Sequence, residues 1–125
     1  MSDPETRKAH KPIEWLGGSK EEISSFPLEV KKELGYGLRQ AQTGATHPNA
    51  KPLHGNLSGV MEIVAADGSG TYRAVYTVKL AGIVYVLHCF KKKSNKGIKT
   101  PRPDLALIEA RLKQAVEIHK GRQDR

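Results

Sequence analysis

Arg73 stands inside the run TYRAVYTV, whose other residues are those of a β-strand. A cluster of six cations with no acid among them, Lys91, Lys92, Lys93, Lys96, Lys99 and Arg102, follows a second such run, IVYVLHCF. A guanidinium is never deprotonated at physiological pH and its planar fork matches a phosphate, so an arginine on a rigid strand suits phosphoryl recognition better than base chemistry. Strand alternation puts Arg73 on one face with Thr71, Val75 and Thr77, and Tyr72, Ala74, Tyr76 and Val78 on the other. The aromatic face is the better candidate for the core. Arg73 then either projects onto an open sheet face or pairs with Glu62 on the neighbouring strand. The lysines start where the last strand ends, so they either form a solvated loop or fan out along one edge of that same face. Ordinary solvated surfaces mix charge signs, and the missing acids favour a working edge.

His88 lies in the last strand, either as a satisfied core histidine or as a general acid or base. His54, in AKPLHGN, is a surface residue or reaches a cleft rim. The five histidines lack metal-ligand spacing, so no metal is expected. There is no P-loop, dinucleotide fingerprint or nucleophile elbow.

The elements that must position these groups follow from periodicity. KPIEWL reads as a first strand, broken by Gly17 and Gly18. Ser19 and Glu22 have capping-box spacing and open a short helix that stops near Pro27. Pro27 suits the first turn of a second helix over 28–42, where Val30, Leu34, Leu38 and Ala41 share one face. Gly35 and Gly37 each weaken that helix by about 1 kcal/mol relative to alanine. The stretch 43–59, rich in Gly, Pro and Asn, reads as one long loop. Three strands follow over 60–66, 71–78 and 83–90, joined by hairpin connections as an antiparallel meander. Thr100 as cap and Pro101 as first residue open a C-terminal helix carrying Leu105, Ile108, Leu112, Ala115 or Val116, and His119 at helical spacing. The order strand, helix, helix, three strands, helix is an α+β layout, with the helices on one face of a small sheet and the other face open to a ligand.

A chain of 125 residues with 38% hydrophobic content supports one domain, here 12–120 between tails at 1–11 and 121–125. A net charge of +8 points to an anionic partner. One cysteine, Cys89, excludes an internal disulfide and fits a reducing cytoplasm. The chain begins with no apolar leader, and no run approaches the roughly 18 apolar residues of a membrane span.

The runs GTYRAVYTV, GIVYVLHCFKKKSNKGIKTP and DLALIEARL, preceded by KPLHGNLSGVMEI, resemble the RelE/HigB-type toxins of bacterial type II toxin–antitoxin pairs, in particular the phage-derived HigB-like branch. The resemblance spans Pro12 to Lys120. It implies a small RelE-like fold, an antiparallel-rich four-stranded sheet with two N-terminal helices on one face and a C-terminal helix. The implied activity is a metal-independent, cofactor-free endoribonuclease that cuts mRNA on the ribosome by attack of the substrate's own 2′-hydroxyl. Arg73 would hold the scissile phosphate. Lys91 and Lys92 would stabilise charge or donate a proton, and Lys93, Lys96, Lys99, Arg102, Lys51 and His54 would contact RNA. Some members carry strand lysines where this chain has Glu62, which leaves His88, Glu62 and a lysine of lowered pKa as candidate bases. The implied partners are a helix-turn-helix antitoxin and mRNA on the ribosome. Two rival readings are a ParE-like inhibitor of DNA gyrase and a basic nucleic-acid-binding module that does not cleave.

Overall fold

A computed structural model describes residues 10–53, 57–92 and 100–123. The elements in chain order are β1 (Ile13–Trp15), α1 (Ser19–Ser24), α2 (Leu28–Gln42), β2 (Ala50–Pro52), β3 (Val60–Asp67), β4 (Gly70–Thr77), β5 (Val84–Lys92) and α3 (Arg102–Gln123). They form the α+β fold read from the sequence, with one strand more than expected. The short β2 pairs antiparallel with β3 inside the stretch read as one loop, giving a five-stranded sheet of order β1-β5-β4-β3-β2. Three residues carrying a proline have too little alternation to announce a strand.

The meander β3-β4-β5 is antiparallel, and β1 joins it parallel to β5. At the β3–β4 turn, Asp67 accepts from the Ser69 backbone N–H at 2.8 Å and from its hydroxyl at 2.6 Å. Gly70 closes that turn at φ +147, and a Cβ there would lie 2.7 Å from Lys91 Cε. Only glycine meets both demands. A register shift between Val75 and Tyr76 lets β5 bend where it passes β4.

Two apolar layers sandwich the sheet. On one side, Val30, Leu34, Leu38 and Ala41 of α2 and Ile23 of α1 pack on Ile63, Ala65, Tyr72, Ala74, Tyr76, Val84 and Val86. Tyr72 and Tyr76 share the side that packs on α1 and α2, as alternation requires. Gly37 faces the sheet so closely that a Cβ would meet Ile63 Cδ1 at 2.8 Å, so its low helix propensity is offset by close approach of helix to strand.

On the other side, Ile108, Leu112 and Ala115 of α3 cover Val75, Tyr85, Leu87 and Phe90, with Leu16, Leu57 and Val60 at the margins. The expectation that all helices share one face, leaving the other open, is therefore corrected. Val75, Tyr85 and Leu87 are fully buried, and β4 and β5 carry apolar residues on both faces, as a strand packed on both sides must.

The helix starts also differ from their sequence signals. Gly18, not Ser19, caps α1 without a side-chain bond. The Ser19 hydroxyl instead donates to Val86 O at 3.2 Å, and Glu22 reaches β5. Pro27 is the cap of α2, not its first helical residue. Pro101 immediately precedes α3, and Thr100 turns its hydroxyl to Glu62. No helix among the described residues is long and apolar enough to cross a membrane.

Candidate nucleic-acid site

Glu62 and Arg73 sit on adjacent strands, on the face shared with α3, offset by two residues in register. Their side chains are only 2% and 5% exposed, and Arg73 Nη1 donates to Glu62 Oε1 at 2.5 Å. Of the two readings of Arg73 left open by its sequence, pairing is the one realised. The guanidinium does not stand free on an open face. The other carboxylate oxygen of Glu62 accepts from the Thr100 hydroxyl at 3.2 Å. Two buried charges tolerate each other's company here because each finds hydrogen bonds as well as opposite charge. One donor remains: Arg73 Nε is buried with no hydrogen-bond partner among the described residues.

Lys92 is two residues beyond Phe90, which opposes Arg73, so it lies on the same face, paired in register with Thr71. It is buried, 7% exposed. Burial first, then the repulsion of Arg73, holds its ammonium below the ordinary lysine pKa. Lys51 adds to the lowering and Glu62 opposes it. Lys91 pairs with Tyr72 and so points to the opposite face. It is exposed, with Nζ 5.7 Å from the centre of the Tyr72 ring. The sequence expectation grouped these lysines as a pair, but the pleat separates them.

His88 is on the α3 face but engaged elsewhere. Nε2 is 2.7 Å from Asp104 Oδ1, Nδ1 is 3.2 Å from Glu22 Oε1, and the ring stacks on Phe90 with centroids 4.9 Å apart. Both nitrogens face carboxylates, in keeping with the satisfied-histidine reading. Lys51 is exposed on β2, and Arg102 is exposed at the start of α3. Lys93, Lys96, Lys99 and His54 lie outside the described residues. Among the described residues no group of three His, Cys, Asp or Glu side chains is placed to hold a metal.

A cleft of about 790 Å³ opens around β3 beyond the end of β2. Arg73, Lys51, Glu29, Glu33 and Asn49 are among the residues that line it. Glu33 also holds His47 at 2.8 Å, which fixes the turn leading to β2. The structure thus unites Glu62, Arg73 and Lys92, with Lys51 at the margin. Thr100 is the member that sequence reasoning missed in this role. Its position directly after the basic run was the available signal, but the following proline made a helix cap the nearer explanation.

Comparison with known proteins bears on the fold and the family. No curated protein matches the sequence significantly. In solved structures, a double arginine-to-alanine mutant of the E. coli toxin RelE in the free state is similar over 70% of this chain and 88% of its own, at 16% identity and TM-score 0.52. The RelBE2 toxin–antitoxin complex from Mycobacterium tuberculosis is similar over 68% of this chain and 93% of that one, at 16% identity and TM-score 0.47. The first likeness shows a shared fold. The family model described as phage derived protein Gp49-like matches residues 21–113. The chain therefore belongs to the phage-derived Gp49-like family and has the RelE-type toxin fold that its sequence resembles.

Proposed function

We propose that the protein is the toxin of a type II toxin–antitoxin pair, acting as a metal-independent endoribonuclease on mRNA held by the ribosome and so stopping translation in the cytoplasm. The observation that carries this reading is that Arg73 and the buried Lys92 of the basic run lie on one face of adjacent strands at the sheet's end. In the proposed reaction the 2′-oxygen bonds to phosphorus, its proton leaves, and the P–O5′ bond breaks as the 5′-oxygen gains a proton. Arg73 holds the phosphate. Lys92 is the best proton carrier available, because burial and the repulsion of Arg73 lower its pKa and so ease loss of its proton. Glu62 and His88 are poor candidates for the base, since both oxygens of the first and both nitrogens of the second are already bonded. Lys51 and Arg102, together with Lys93, Lys96, Lys99 and His54 from the sequence, contact flanking RNA. Lys91 contributes charge from the opposite face. A helix-turn-helix antitoxin would neutralise the toxin by covering this basic end.

A second reading, inhibition of DNA gyrase without cleavage, draws on the Glu62–Arg73 pair, which takes up one of the guanidinium's donors. Expression of the wild type and of Lys92→Gln in cells, with mRNA 5′ ends mapped and plasmid supercoiling measured, separates the two. Cuts within codons that are lost in the variant support the ribonuclease. Growth arrest with intact mRNA and altered supercoiling supports gyrase.

A further inference from the structure

We infer that Glu62 is a positioning residue, tying the Arg73 guanidinium to Thr100, the residue after Lys99, so that the two are set relative to each other. The inference rests on the reading of Arg73 as the phosphate-holding group and names what orients it. Glu62 is 1% exposed and cannot meet a substrate proton. Its two oxygens instead divide between neighbours: Oε1 takes Arg73 Nη1 at 2.5 Å, and Oε2 takes the Thr100 hydroxyl at 3.2 Å.

The bond to Nη1 fixes the rotation of the guanidinium plane and spends one donor. Nε remains as a buried donor without a partner among the described residues, at a group that also lines the cleft around β3. A buried donor left unbonded is costly, and such atoms are rare in folded proteins. An anion reaching that edge of the guanidinium would satisfy it. The bond to Thr100 acts on the opposite end of the chemistry. Lys92 lies on the face of Arg73, and Thr100 comes next after Lys99 in the sequence, so one carboxylate bonds both the arginine and the residue that follows the lysines. Glu62 thereby sets both the direction in which Arg73 can bind and the position of Thr100 beside it.

The test is nuclear magnetic resonance of the Arg73 Nε–H signal in ¹⁵N-labelled protein, assigned by its loss in Arg73→Lys, with inorganic phosphate as probe. In the wild type the signal should be protected from solvent exchange and should move on addition of phosphate. In Glu62→Gln, with folding verified by its melting curve, protection and the phosphate response should both be lost. Thr100→Val is near-isosteric and leaves the ion pair intact, so it decides the question if Glu62→Gln does not fold. Phosphate should bind it roughly three- to tenfold more weakly, the effect of one lost hydrogen bond. A signal indifferent to phosphate in the wild type, or unchanged phosphate affinity in Thr100→Val, overturns the inference. A wild type that responds to phosphate but leaves mRNA uncut strikes the ribonuclease reading and supports this one.

Discussion

At the scale of single residues, the buried pair and the buried lysine make opposite demands on stability. Removing one member of the Glu62–Arg73 pair strands a charge in the interior. Glu62→Ala should therefore cost about 3–5 kcal/mol, while replacing both by methionine should cost much less, because no charge is then left behind. Urea unfolding of the three proteins measures the difference. Lys92 behaves differently, because its pKa is lowered on folding. Its charge destabilises the fold fully at pH below the folded-state pKa, and the penalty fades as pH rises toward the unfolded lysine value of about 10.4. Lys92→Met should accordingly be more stable than the wild type at neutral pH, with the gap in urea midpoint closing as the buffer approaches that value. The same lowering that penalises folding suits the lysine to exchange a proton, so a gain in stability should coincide with loss of cleavage.

At the scale of elements, the edge of β5 shows how side chains complete what the backbone leaves unfinished. β1 ends at Trp15, opposite Val86, and the chain then turns away into α1. Beyond that point Glu22 accepts the Cys89 backbone N–H at 3.0 Å, and Arg111 of α3 donates to Leu87 O at 2.9 Å. Arg111 also reaches Glu22 at 3.3 Å, so α1 and α3 are joined across the strand edge. Glu22→Ala should speed exchange of the Cys89 amide by one to two orders of magnitude, the effect of exposing a bond worth about 1–3 kcal/mol. Hydrogen exchange read by mass spectrometry or NMR checks this.

Much of this architecture was legible beforehand, because alternation and helical spacing are local. The meander, α1, α2 and α3 follow from runs such as TYRAVYTV and the spacing of Val30, Leu34 and Leu38. The misreadings have a common cause. Ser19, Glu22 and Thr100 carry good local capping signals, yet each uses its side chain on a distant strand, and no local pattern records a tertiary partner. The site was legible in its charges, Arg73 and Lys92, and in Glu62 as one possible partner. The use of Glu62's second oxygen depended on where α3 crosses the sheet. Which lysine of the pair would face Arg73 depended on register, since a single step in the pleat reverses the answer.

At the scale of the whole molecule, the chain carries a net charge of +8, and at one end of the sheet Lys92 and Lys51 share the electrostatic surroundings of the buried pair. Binding to RNA should release counterions and weaken with salt. For a 2′-O-methylated single strand, which cannot supply the attacking hydroxyl, log affinity should fall linearly with log salt. Arg102→Ala should reduce that slope by about 0.7, the share of one phosphate contact on a single strand. Lys113→Ala, exposed farther along α3, should leave it unchanged. Fluorescence anisotropy across a salt series gives both numbers.

The order of strands has a temporal consequence. β5 lies between β1 and β4 in the sheet although it is the last strand to be synthesised, and the parallel pairing of Ile13 with Val84 closes most of the chain's length. Such long closures slow folding, because chain entropy is lost before the contacts form. Until β5 has left the ribosome's exit tunnel, Lys92 has no strand beside it, Arg73 lacks its neighbour, and α3 has no surface to cover. A nascent chain therefore cannot assemble this site until β5 has emerged and joined both of its neighbours in the sheet.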